Sequence, residues 1–589
     1  MLISAIKYRC TKIRFQAVCV AALLAGTGLA SANDQNNFVP ADTHFYVGTD
    51  RAIPVAEFFA LMPVSGFPNS EDNKFLERMS EFGDNPEEYF VEWGIDTNVQ
   101  FSMYTVGLAP VIRIALKDAK QFQAELSEFE KKHSLNPEIR EHSNQSVRIY
   151  SKASVKAKDD AVSSESDSSE NSVADGDTAK GDVSVAPSVV VAVGEKDVVF
   201  GVLLPVQEGA LDALIGAARP ETSIVQSGKL KKIRKQWKYG DEAAAFVDIK
   251  KIAETVVGST DSAAAGQLES LLSSDRSAAG VLAMLRSEPC STEITQLAES
   301  MPLMVSGNRY FKVSDDTVEF DSHFAAVLKN ELLLETLQLF RGVVPLSQSP
   351  GQPLFSVGLG LTVDRLAQAL GQISQLLSSV NYQCNALLAV NQLATTDLSG
   401  ANMGVVMFGG LARGVRGLSV NVFDLDLDPE GAAGPIKSVD TAVAVSADDP
   451  GMLLQTLRMM PQFGALADLP LDGTALSLNE LLPIPLPAGV ELQAAVKAKN
   501  IVIYSGEKGT DFANRLGGND LEQFLHSSVD LGVIINKATS FMDVMGIDAD
   551  EEVLDIIGSY PKGVLSYSMD FTDQGVELVS TGKYEVEEK

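Results

Sequence analysis

Histidine and cysteine are scarce in this chain of 589 residues, which holds five of the first and four of the second. His44, His133, His142, His323 and His526 stand far apart, and none sits at helical ligand spacing from another or from a carboxylate pair. HExxH, the GxSxG nucleophile elbow, the GxxxxGK[ST] phosphate loop and the GxGxxG dinucleotide turn are all missing. Those absences remove the motif-borne zinc, serine-hydrolase and nucleotide chemistries. No catalytic, cofactor-binding or metal-binding residue is therefore assigned. A hydrolase whose site assembles from distant residues stays open as one alternative.

Basic charge is also short. Lysine and arginine number 47 against 78 acidic residues, for a formal charge of -31. A field of that sign opposes any general affinity for nucleic acid or an anionic surface. The acidity suits solubility or, equally, a salty habitat in which screening shortens self-repulsion, and it names no partner.

Long apolar runs are missing after the N-terminus, where Lys7, Arg9, Lys12 and Arg14 precede an apolar stretch from Ala17 to Leu29 and then Ala30, Ser31 and Ala32. This pattern predicts a secretory signal peptide over residues 1–32 with cleavage before Asn33, and hence a periplasmic protein with no transmembrane helix in the mature chain. Secretion, or an inner-membrane anchor left by an uncleaved signal, are the alternatives. Cys10 and Cys19 leave with the signal. Cys290 and Cys384 remain, lack the CxxC spacing of zinc or redox sites, and are expected to form a disulfide in an oxidising compartment. Two buried thiols that never meet is the other reading.

What the chain does contain is internal repetition. The hairpin Ala192–Val202 recurs without a gap as Ala495–Ser505, and each leads into a helical pattern, near Leu211–Ile215 and Phe512–Leu516. The strand-to-helix segment from Val111 to Phe122 recurs from Ala442 to Leu453, with Asp118 and Asp449 at the N-cap and Pro450 at the first helical position. A third pattern opens at Phe45–Thr49, Ala245–Asp248, Leu359–Thr362 and Val533–Asn536. It closes on strand pairs at Phe101–Leu116, Leu303–Ala325, Gly404–Leu427 and Gly563–Tyr584.

The expected fold is α+β, with antiparallel sheets covered by helices. Four related β-α-α-β-β units alternate long-short-long-short, as an ancestral duplication would leave them. The halves are 33–345 and 346–589, joined near Pro345–Pro353. Cys290 and Cys384 are placed in the second helix of their units, on opposite sides of that join. Residues 152–188, rich in Ser, Asp, Glu, Ala and Lys and without an aromatic residue, read as a disordered acidic insertion between strands.

One basic cluster stands out, with Lys229, Lys231, Lys232, Arg234, Lys235 and Lys238 set around Leu230, Ile233 and Trp237. As a helix it places the three apolar residues on one face, with the cations fanned around them, a pattern suited to anionic headgroups or an acidic partner. A plain surface helix packed by three apolar residues is the competing reading. Asp424, Asp426 and Asp428 alternate with Leu425 and Leu427, which suits a strand with water-facing carboxylates. Pro429 stands where a calcium loop requires glycine. Gly358, Gly360 and Asp364, and Gly409, Gly410, Gly414 and Gly417, are read as bulges, turns or close backbone approaches.

Val39–Thr43 reads Val-Pro-Ala-Asp-Thr. With the repeated strand-polar-helix openings, this phrase resembles a family of uncharacterised exported bacterial proteins, a domain of unknown function. The resemblance implies an envelope or extracytoplasmic location and carries no functional residue. The leading expectation is a non-enzymatic exported envelope protein that binds another periplasmic or membrane-associated component, protein or lipid. A carrier of a lipid or other apolar ligand is the second reading.

Overall fold

A computed structural model describes residues 33–55, 86–151, 187–204, 209–259, 262–273, 275–314, 317–346, 353–379, 381–394, 409–410, 412–427, 436–460, 466, 468–479, 490–517, 521–537 and 562–585. The signal segment 1–32, most of the acidic insertion and Asp428 lie outside them. The chain divides into two compact units, residues 1–298 and 299–589.

The strands of the first unit are β1 (Phe45–Gly48), β2 (Ile53–Pro54), β3 (Asn98–Val99), β4 (Phe101–Val106), β5 (Ala109–Ala115), β6 (Glu138–His142), β7 (Gln145–Tyr150), β8 (Ser188–Val193), β9 (Asp197–Leu203) and β10 (Ala244–Asp248). They form an antiparallel sheet in the order β10-β1-β4-β5-β9-β8-β7-β6, and β2 pairs with β3 apart from it. Its core holds Phe90, Phe101, Ile112, Ile114, Val191, Val193 and Val198, with Phe122 and Leu126 from the helix Ala119–Lys132. Asp118 starts that helix as expected, accepting from the amides of Lys120 and Gln121. The last strand in the order, β6, is exposed along nearly its whole length and carries Glu138, Arg140 and Glu141.

In the second unit the strands are β11 (Leu303–Val313), β12 (Thr317–Val327), β13 (Gly342–Val344), β14 (Phe355–Leu359), β15 (Val415–Leu427), β16 (Ile436–Ala447), β17 (Leu476–Ser477), β18 (Leu492–Lys497), β19 (Asn500–Ser505), β20 (Leu521–Gln523), β21 (Leu525–Asp530), β22 (Gly563–Phe571) and β23 (Gly575–Glu585). The antiparallel order is β11-β12-β23-β22-β21-β14-β15-β16-β19-β18-β17. Successive residues of β18 and β19 point to opposite faces. Ala495, Val502 and Tyr504 pack under Phe512 of the helix Gly506–Arg515, while Ala494, Val496 and Ile501 pack under Leu453 and Leu454 of the helix Pro450–Leu457. Burial on both sides is why these strands are almost uniformly apolar.

The repeated segments pair in matching register. Val111 lies opposite Gly201, and Ala115 opposite Asp197. Ala442 lies opposite Tyr504, and Ser446 opposite Asn500. These are the residues that the two sequence alignments equate.

Several expected boundaries shift. The strand expected at Leu359–Thr362 is β14, which ends at Leu359. Residues 533–536 are helical, and the strand before them is β21, whose Asp530 accepts from the Val533 amide. The polar residue at the strand end is thus real, but it lies six positions earlier than Asn536. The strand pair expected within Gly404–Leu427 is β15 with β16 instead.

Gly360 and Gly417 stand at close backbone approaches, as expected. β13 and β20 form a separate two-stranded ribbon. A Cβ on Gly342 would lie 2.0 Å from the Arg416 carbonyl oxygen, one on Gly360 1.9 Å from that of Gln523, and one on Gly417 1.9 Å from that of Val343. Backbone meets backbone at all three, so no side chain fits. Asp364 accepts from the Gly414 amide, where a positive φ of 79° precedes a bulge. Gly417→Ala is expected to destabilise the second unit by about 1–3 kcal/mol through overpacking. An unchanged urea midpoint would show that the ribbon can lift away without loss.

Candidate functional site

The basic cluster is a helix over Lys229–Trp237, as expected, and the structure sorts its members. Leu230, Ile233 and Trp237 are buried and fasten it to the first unit. Lys229 is taken up internally. Its ammonium donates to Asp248 at 2.7 Å and lies 4.0 Å from the centre of the Phe246 ring, and burial pushes its pKa down. Arg234 is also buried, pairs with Asp50 at 3.0 Å and donates to the Gly240 carbonyl. Lys229, Arg234 and Trp237 therefore leave the set expected to face a partner.

Lys231, Lys232, Lys235 and Lys238 remain exposed, with no ion pair among the described residues. Spacings of three, four and seven residues place Lys231, Lys235 and Lys238 along one helical face, with Lys232 beside it. Sequence reasoning found the helix but missed Asp50, Phe246 and Asp248, which consume two of its cations. Asp50 comes from a distant segment, whereas Phe246 and Asp248 lie on the strand that follows the helix, and nothing in that strand's own pattern shows that it meets Lys229.

The acidic alternation on β15 behaves as a strand with solvated carboxylates. Asp424 accepts from Lys508 and Lys537, and Asp426 from Lys537, all at 3.0–3.2 Å. These lysines hold both carboxyls below their ordinary range; for Asp424 they outweigh the opposing effect of burial, and for Asp426 the Lys537 hydrogen bond is the main cause.

A polar cleft of about 720 Å³ in the second unit is lined by Arg341, Arg365, Arg416, Glu522, Thr572 and Asp573. Arg341 is held by both carboxylate oxygens of Asp570, at 2.9 and 2.7 Å. Thr572 donates to Glu577 at 2.6 Å, and Glu577 also bonds the buried His323 at 3.0 Å and pairs with Arg309 at 3.5 Å. This chain runs hydroxyl, carboxylate, imidazole. The carboxylate in the middle is held below its usual pKa, chiefly by the His323 hydrogen bond, so it is a poor base toward Thr572.

In the first unit an apolar cavity of about 190 Å³ is lined by Val106, Ala109, Leu203, Leu204, Ala213 and Leu214, among others. That is room for one ring or a short chain, below the roughly 300–1,000 Å³ of ordinary ligand pockets.

Cys290, in the helix Glu288–Ser300, and Cys384, just ahead of the turn Asn385–Leu387, are both disulfide-bonded and both buried. Cys384 lies outside a helix, contrary to expectation. No helix among the described residues is long and apolar enough to cross a membrane.

His44 is buried against Thr255 at 2.8 Å, and burial, with Lys251 nearby, pushes its pKa down against the pull of Asp42 and Asp248. Burial lowers His526 likewise. Below about pH 6.5 the unfolded chain takes up protons that these folded imidazoles refuse, so stability present above that pH is lost as it falls. Glu577 acts in the same direction at lower pH, because its carboxyl protonates more readily when unfolded. The melting temperature is expected to drop from pH 7 to pH 5, and His44→Gln is expected to blunt the drop. A flat profile over that window would contradict the assignment.

Comparison with protein-family models, with curated proteins and with solved structures returns no match.

Proposed function

We propose that this is a non-enzymatic exported protein of the bacterial envelope, built by duplication, which docks on another envelope component through the exposed lysines of the helix Lys229–Trp237. The observation that carries the reading is a set of four exposed ammonium groups, three along one helical face and Lys232 beside it, without an ion pair among the described residues of a chain with formal charge -31. Lys229 and Arg234 of the same helix, by contrast, are paired to carboxylates.

Export rests on the N-terminal segment 1–32 and on the buried, oxidised cysteines, which suit an oxidising compartment. We place the mature N-terminus at Asn33, the compartment as the periplasm, and the disulfide between Cys290 and Cys384. Duplication into halves 33–345 and 346–589 is supported by the matching registers and by the strand orders β10-β1-β4-β5-β9-β8 and β21-β14-β15-β16-β19-β18, which run alike.

A photoreactive residue at position 236, exposed one turn from Lys232 at the rim of the lysine face, tests docking in the producing cells. The expected result is an adduct with one envelope component that disappears when Lys231 and Lys235 are changed to Glu. Absence of any adduct, or one indifferent to those changes, would remove this face from the reading.

A further inference from the structure

We propose that the lysine face of the helix Lys229–Trp237 is a peripheral docking surface for an anionic phospholipid bilayer. The inference rests on reading this helix as the docking face and names its partner.

Arg234 and Lys235 in the last turn suit the helix dipole, and the Ser227 hydroxyl accepts from the Lys229 amide, but the start of the helix is chemically unfavourable. Its N-cap, Gly228, offers no side-chain acceptor, and the first turn holds no acidic residue. Lys229 and Lys231 occupy that turn instead, where the positive end of the helix dipole disfavours cations. Lys231 and Lys235 are like charges four residues apart. The helix then ends on Lys238 at a φ of 59°, the left-handed conformation that glycine adopts without a Cβ penalty. Buried Leu230, Ile233 and Trp237 hold the segment in place regardless. Several local rules broken at one place mark a functional site more often than chance irregularity.

The kind of cation narrows the partner. All four charges without an ion pair among the described residues of the cluster are lysines, and its one arginine is buried. A guanidinium fork reads a fixed carboxylate or phosphate in two-point geometry, whereas an ammonium acts as a point charge. The helix also keeps its apolar side chains inside, so it lacks the aromatic or aliphatic anchors that fix a folded protein partner, and it has nothing to insert among acyl chains. Four exposed point charges suit an array of anionic headgroups that can move sideways to meet them. Each lysine near such a surface strengthens binding about fivefold.

The net charge of the chain opposes approach. At about 0.15 M salt the screening length is about 8 Å, so a helix in contact feels the headgroups while distant carboxylates are largely screened.

The test is sedimentation of the full mature chain with vesicles of phosphatidylglycerol and phosphatidylethanolamine, against vesicles of phosphatidylcholine. Binding is expected to the anionic vesicles alone and to vanish at about 0.5 M salt. Lys231→Ala with Lys235→Ala is expected to weaken it about 25-fold. Lys238→Gly is expected to raise the melting temperature while weakening binding about fivefold, an opposition that a purely structural lysine would not produce. Equal partition onto phosphatidylcholine, or binding indifferent to the lysine changes, overturns the proposal. A protein adduct at position 236 with no vesicle binding overturns the lipid assignment and leaves the docking face standing; neither adduct nor vesicle binding removes both.

Discussion

Arg113→Ala is expected to lower the stability of the first unit by about 3–5 kcal/mol, read as a fall in the urea midpoint. Arg113 is 1% exposed, reaches Asp197 with one guanidinium nitrogen, and donates to the Ile215 carbonyl at 2.9 Å with another. The Phe38 ring covers the guanidinium at 4.0 Å. Truncation therefore leaves a largely buried carboxylate without its cation, an aromatic ring over a void, and an orphaned carbonyl. At the residues that the sequence alignments equate with Arg113 and Asp197, the second unit carries no charge. The aligned segments equate Arg113 with Ala444, fully buried, and Asp197 with Asn500. Adding Asp197→Asn to Arg113→Ala should thus recover about 1–2 kcal/mol, because the stranded charge is gone while the cavity stays. A double variant no more stable than the single one would locate the loss in packing alone.

Loss of the disulfide should be as severe. With Cys290 paired to Cys384, the bond closes a loop of roughly 100 residues, and in the chain-entropy model its removal favours the unfolded state by about 4–5 kcal/mol. The variant carrying Cys290→Ser and Cys384→Ser should melt well below the oxidised protein, and reductant should lower the melting temperature of the parent but not of the variant. Equal melting with and without reductant would show that the crosslink constrains little.

The parts of the fold legible in the sequence were those carried by local pattern. β8–β9 and β18–β19 announced themselves through apolar runs around a polar turn, and Asp118 and Asp449 through the N-cap chemistry they perform. β21 was misplaced because Leu-His-Ser-Ser-Val-Asp hardly reads as an interior strand, whereas the Val-Ile-Ile after it does. Its polar residues are tolerated between β14 and β22 because partners lie across the strands, as where the Ser566 hydroxyl donates to Ser528 at 3.0 Å. The Arg113 site and the partners of Lys229 and Arg234 could not be read at all. Phe38, Arg113, Asp197 and Ile215 meet only after folding, and so do Lys229 and Asp248. The lysine helix was visible as a cluster, but which of its charges face water is decided by tertiary contacts.

The exposed strand β6 bears on a different property, resistance to polymerisation. A strand with unpaired backbone groups along one side can template the addition of another chain, and an antiparallel sheet this wide would otherwise offer such an edge. Glu138, Arg140 and Glu141 give β6 alternating charge that an incoming strand would have to match, and β17, one of the two terminal strands of the second unit, is only two residues long. Replacing those three with valine or threonine would leave the core untouched and turn β6 into a sticky margin, so at this strand a few charges are what stands against edge-to-edge association.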